Sequence, residues 1–122
     1  MLTRHARWLF RIAFIAAFVG IWILAVMPAP PPVGSSYDKL NHVFAFFVLG
    51  VLARLAWPEG GAFKALTLLL LFGILIEVVQ YFVGRDASAF DVLADSIGLL
   101  LAISATHIAQ PGVVYSARDE EL

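Results

Sequence analysis

No cysteine occurs among the 122 residues, which excludes disulfides and thiolate-ligated metal sites. Charge is scarce too: 14% of the residues are charged, against about 25% in an ordinary soluble domain. Also missing are a phosphate-binding glycine loop, a G-x-G-x-x-G fingerprint, a serine nucleophile elbow and a zinc motif, so ATP use and nucleic-acid binding are set aside. What fills the chain is apolar, with 61% hydrophobic residues. Such a composition in one short unit is that of a membrane protein.

Four apolar runs are long enough to cross a bilayer, which takes roughly 20 residues at about 1.5 Å each. They cover Trp8–Met27, Leu40–Trp57, Phe63–Val83 and Phe90–Ala109. The breaks between them are chemical. The stretch PAPPPVGSSYD, 28–38, holds clustered prolines that cannot continue a helix, while PEGGA, 58–62, and GRDAS, 84–88, are turns. Short connections make neighbouring spans antiparallel, so the expected fold is all-α, an antiparallel four-helix transmembrane bundle. Arg4, Arg7 and Arg11 before the first run also resemble a signal peptide, but the run exceeds the usual apolar core of about 7–15 residues, and a membrane span is expected instead.

Lysine and arginine set the orientation. With the N-terminus cytoplasmic, the inner side holds Arg4, Arg7, Arg11, Arg54, Lys64 and Arg118, and the outer side only Lys39 and Arg85. Both termini are therefore expected inside, with 111–122 a polar cytoplasmic tail. The expected location is a bacterial inner or plasma membrane.

With that topology the polar residues gather at the outer face. Asp38, Lys39 and His42 open the second span, Glu77 and Gln80 lie near the end of the third, and Asp91 and Asp95 near the start of the fourth. Gly73, Glu77, Gln80 and Gly84 share one helical stripe; Asp91, Asp95, Gly98, Ala102, Ala105 and Ala109 share another. Small residues on a membrane helix mark close approach of a second backbone, so the polar groups are expected to face protein. An aspartate in mid-membrane costs about 2.5–3.5 kcal/mol on insertion scales, and several in one place need partners.

Simpler roles compete for some of these residues. Asp38 has the form of an N-cap, Lys39 of a snorkelling lysine, and Ser88 with Asp91 of an S-x-x-D capping box. Gln80 is able to bridge helices, and Arg85 to clamp the neighbouring acids, a phosphate or a carboxylate. Asp95 and Glu77 have no such local explanation. Asp38, Glu77, Asp86, Asp91 and Asp95 face only Lys39 and Arg85. Protonation, a divalent cation or a cationic ligand would each absorb the excess of negative charge.

DKLNH at 38–42, EVVQ at 77–80 and GRDASAFDVLADSIG at 84–98 together resemble the VanZ-like family, with a motif core over 37–101 in a domain spanning 1–110. Asp38, Lys39, His42, Glu77, Gln80, Arg85, Ser88 and Asp91 match its pattern. Asp95 stands where the family usually carries asparagine, which adds charge. The resemblance implies a small integral membrane protein of the cell envelope, the family's namesake being linked to teicoplanin resistance. It implies no settled reaction, so whether the chain is an enzyme stays open.

The favoured expectation is an outer-side polar pocket for a lipid-linked or amphiphilic ligand, with membrane lipids, a lipid-linked envelope precursor or a lipoglycopeptide as partners. In a catalytic version His42 or Glu77 is the general base, Asp91 and Asp95 orient a metal or the histidine, and Lys39 and Arg85 hold phosphate, with Asp38, Gln80 and Ser88 beside them as ligand-binding residues. The alternatives are a small proton-coupled carrier and a structural module whose polar cluster locks the packing.

Overall fold

The structure is a computed structural model that describes residues 3–27, 38–85 and 87–109. The proline-rich stretch, Asp86, the side chain of Asp38 and the polar tail lie outside the described residues. Four helices follow one another: α1 (Arg4–Val26), α2 (Asp38–Ala56), α3 (Ala62–Phe82) and α4 (Ala89–Ala109), with a 3₁₀ turn at Pro58–Gly60. No strand occurs among the described residues. Each helix is long and apolar enough to cross a membrane. The 21 residues of α3 extend about 31 Å at helical rise, close to the thickness of a hydrocarbon core.

Helix boundaries follow local chemistry. α1 begins before its apolar run because Thr3 caps it, its hydroxyl accepting from Ala6 N at 3.1 Å. α2 and α3 are joined through the 3₁₀ turn and Gly61, whose φ of 77° lies in the left-handed region. α3 stops at Gly84, with φ of 78°, and Arg85 N returns to Gln80 O at 2.9 Å. That bond is the outer closure of a Schellman motif, and it fixes where Arg85 leaves the helix.

Cross-helix contacts give the topology. Arg11, early in α1, donates from Nε to Ala56 O at the end of α2 (3.0 Å). Gln80, late in α3, donates to Ala25 O late in α1 (3.0 Å), and His42, early in α2, meets Asp95 early in α4. The helices thus run up, down, up, down, and the starts of α2 and α4 share one end with the finishes of α1 and α3. This is called the polar end below.

α2 is central and touches the other three helices, α4 most closely. Small residues permit that approach. A Cβ on Gly98 would collide with the Val43 carbonyl oxygen and lie 3.0 Å from Phe47 N, and one on Gly50 would lie 2.6 Å from Ala102 Cβ. On α4 the buried positions are Asp91, Ala94, Asp95, Gly98, Leu99, Ala102 and Thr106. The expected stripe is therefore corrected toward the opposite end, where Ala105 is exposed and Thr106 is buried. Thr106 is tolerated there because its hydroxyl donates to Ala102 O at 2.9 Å.

Phe46, Leu49, Ala53, Leu69, Phe72, Ile76 and Leu99 form the core. α1 has no fully buried residue, yet lays Phe14, Phe18, Ile21 and Trp22 over that core, Phe18 stacking on Phe72 with ring centroids 4.0 Å apart. Arg11 ties its other end, 3.6 Å from Glu59 and over the rings of Trp8 and Trp57. The outward faces carry exposed apolar side chains such as Leu68, Leu71, Leu75, Leu100 and Leu101, as a lipid-facing surface does.

Gly98→Ala is expected to lower the thermal unfolding midpoint in detergent, costing about 1–3 kcal/mol as overpacking against immobile backbone. Gly20→Ala, where nothing lies within 4 Å of the added carbon, is expected to leave the midpoint unchanged or raise it. Equal behaviour of the two variants contradicts the close approach of α2 and α4.

Candidate functional site

His42 from α2, Glu77 from α3, and Asp91 and Asp95 from α4 converge at the polar end. Asp95 is 0% exposed, Asp91 3% and Glu77 8%. His42 Nδ1 lies 2.8 Å from Asp95 Oδ1. An ionised carboxylate only accepts, so Nδ1 is the nitrogen that carries a proton toward Asp95. Nε2 in turn sits 3.9 Å from Asp91 Oδ2, beyond hydrogen-bond range. One ligand atom each from His42, Glu77 and Asp91 fits within 4.8 Å of the others, a spacing with which, among the described residues, these three could hold a metal ion.

The backbone makes room for this cluster at one place in particular. A Cβ on Gly73 would lie 2.6 Å from Asp95 Oδ2 and 3.3 Å from Phe46 Cζ. Glycine on α3 therefore lets the buried carboxylate lie against the helix wall. Phe46, Ile76 and Leu99, all nearly inaccessible, belong to the apolar core into which these same helix faces continue.

Glu77 connects the cluster to the α3–α4 loop. Its Oε2 accepts from Ser88 N at 2.8 Å, while Oε1 is buried without a hydrogen-bond partner among the described residues. This corrects the capping-box expectation for Ser88 and Asp91. Ser88 Oγ caps Phe90 N at 3.2 Å, but the Ser88 N–H goes to Glu77, which leaves the Asp91 carboxylate turned toward His42.

Gln80 and Arg85 are placed on α1 and not on the acids. Arg85 Nη1 donates to Leu24 O and Ala25 O, each at 2.7 Å, and to Met27 O at 3.4 Å. Carbonyls in the last turn of a helix lack intrahelical partners, and a cation there also suits the helix dipole. Arg85 and Gln80 thus act as the C-cap that α1 does not supply itself. Lys39 is exposed on the first turn of α2.

A cavity of about 310 Å³ opens beside the cluster, lined by Glu77, Val78, Tyr81, Phe82, Ala87, Ser88 and Ala89. Val78, Tyr81 and Phe82 escaped the sequence analysis, although an aromatic pair one turn beyond a buried glutamate was the available signal. A larger cleft of about 700 Å³ lies at the other end between α1 and α3, among Phe14, Phe18, Trp57, Lys64 and Phe72. It contains none of the clustered acids, so size alone does not locate the chemistry.

Four helices long and apolar enough to cross a membrane, three of them bringing polar side chains together at one end, are those of a polytopic helical membrane protein. The chain belongs to the VanZ/LLP1 family, whose profile matches residues 3–110 and so takes in α1 as well as the motif core. No curated protein and no solved structure matches it.

Arg85→Ala is expected to loosen the last turn of α1 without dispersing the acidic cluster. Hydrogen exchange at Val26 and Met27 should rise, with a stability loss of about 1.5–3 kcal/mol, the range for hydrogen bonds to a charged group. Unchanged exchange there would remove Arg85 from its capping role.

Proposed function

We propose that the polar end is a ligand site facing the outside of the cytoplasmic membrane, which receives the polar group of a lipid-linked or amphiphilic molecule. The supporting observation is the double position of Glu77. It belongs to the His42, Asp91 and Asp95 cluster and also lines the cavity that Val78, Tyr81 and Phe82 wall with apolar surface. A ligand with its tail along those side chains brings its head group against Glu77 and Ser88. Lys39, exposed on the first turn of α2, and Arg85, just after α3, put positive charge at the same end of the bundle, suited to phosphate or carboxylate.

In a catalytic form of this site, Asp95 holds the imidazole of His42 in one tautomer, and the Nε2 lone pair and Glu77 are the groups able to accept a proton or bind an electrophile. A role in resistance to teicoplanin is one biological expression of the same pocket, since a lipoglycopeptide is amphiphilic. A proton-coupled carrier is less favoured, because Phe46, Leu49, Ile76 and Leu99 fill the bundle interior with nearly inaccessible apolar side chains. A purely structural cluster does not account for a cavity opening onto its glutamate.

The absence of native cysteine makes the orientation directly testable. Ala87→Cys is expected to react with a membrane-impermeant maleimide added outside intact cells, and Gly60→Cys only after permeabilisation; the reverse pattern contradicts the outer-side assignment. For the ligand, photoactivatable lipids should label the wild-type chain near Tyr81 and Phe82. Ala87→Trp, which fills the cavity, should cut that labelling severalfold, whereas Ala65→Trp in the other cleft should not. Equal labelling of both variants, or full retention of teicoplanin tolerance in stably inserted His42→Ala and Glu77→Gln cells that otherwise show it, contradicts the proposal.

A further inference from the structure

We infer that His42, Glu77 and Asp91 form a binding site for a divalent transition-metal ion of the zinc class, with Asp95 as the residue that positions the histidine. The inference deepens the pocket proposed above by naming what its acidic wall holds, and the metal site itself stands whether or not an amphiphile enters.

Donor geometry comes first. Three side chains from three different helices each bring one ligand atom within 4.8 Å of the others. Metal–nitrogen and metal–oxygen bonds of about 2.0–2.2 Å in a tetrahedron place donors about 3.4 Å apart. The 3.9 Å between His42 Nε2 and Asp91 Oδ2 is only a few tenths of an ångström wider, too far for a hydrogen bond and close enough for a shared ion.

An independent feature is the state of Glu77. The residue is 8% exposed, its Oε2 accepts from Ser88 N, and its Oε1 is buried without a hydrogen-bond partner among the described residues. A carboxylate oxygen left so in a membrane-embedded bundle is costly unless a cation reaches it. A divalent ion also offsets negative charge that Glu77, Asp91 and Asp95 gather around one imidazole.

The outer shell has the form that metal sites use. A ligating histidine commonly donates its second ring N–H to a carboxylate, which fixes the tautomer and raises the basicity of the ligating nitrogen. Asp95 stands in that relation to His42, at 2.8 Å and fully buried. The mixed set of one nitrogen and two oxygens suits zinc or manganese better than magnesium, which keeps several waters and few protein ligands. Three protein ligands leave at least one coordination position for water or a ligand oxygen, as in catalytic zinc sites. Glu77 is the ligand that also lines the cavity, so that position would be reachable from it.

The test uses metal alone. Purified full-length protein in detergent is stripped with a chelator, and Co²⁺ is titrated in while its visible d–d absorption is followed, with Zn²⁺ added afterwards as competitor. One Co²⁺ per chain, displaced by Zn²⁺, is expected. Glu77→Gln and Asp91→Asn should each abolish the bands, and Asp95→Asn should weaken binding about 10–100-fold. Far-UV circular dichroism and size exclusion identify variants that remain folded. Wild-type protein that is folded and takes up no cobalt overturns the inference, as does equal uptake by a folded Glu77→Gln chain, which would mean surface binding only. Because no lipid takes part, either failure leaves the lipid-labelling experiment to judge the pocket by itself.

Discussion

A carboxylate with no accessible surface, Asp95, sits between three apolar helices and is held by His42 Nδ1 at 2.8 Å. In a bundle of this composition an ionisable group so placed must find a partner inside the protein, and meeting that demand organises the polar end. α4 has to approach α2 closely enough for the contact to form, which Gly98 and Gly50 permit. α3 has to lie against the carboxylate without a side chain in the way, which Gly73 permits. Once those backbones are fixed, Glu77 and Asp91 arrive at the same place because they lie on the same buried faces.

Stability and chemistry are divided along the bundle. Toward the opposite end the helices are joined by aromatic packing and by Arg11, which links α1 to the end of α2 and to Glu59. At the polar end Arg85 and Gln80 tie down the finish of α1, a helix with no fully buried residue of its own. The two arginines therefore hold both ends of the least buried helix. The side-chain donors of Gln80 and Arg85 thus serve α1, apart from the group formed by His42, Glu77, Asp91 and Asp95.

Much of this is legible in the sequence. The four helices follow from apolar runs of bilayer length punctuated by proline and glycine, and the grouping of acids follows from helical spacing along α3 and α4. What spacing does not contain is the relative placement of helices distant in sequence. The destination of Arg85 depends on where the last turn of α1 lies, 60 residues earlier at Ala25, and no local pattern reports that. The switch from a capping pair to a Glu77–Ser88 bond depends likewise on α3 meeting the loop that follows it. The shift of the buried stripe from Ala105 to Thr106 depends on how α4 packs against its neighbours, which a fixed helical period ignores.

The central claim is that imidazole and carboxylates from separate helices form one interacting unit. A double-mutant cycle on His42 and Asp95 addresses it most directly, with His42→Ala, Asp95→Ala and the double variant unfolded reversibly in detergent. A coupling energy of about 0.5–3 kcal/mol, the range for residues in direct contact, is predicted. Strict additivity of the two single substitutions in folded protein would contradict the account.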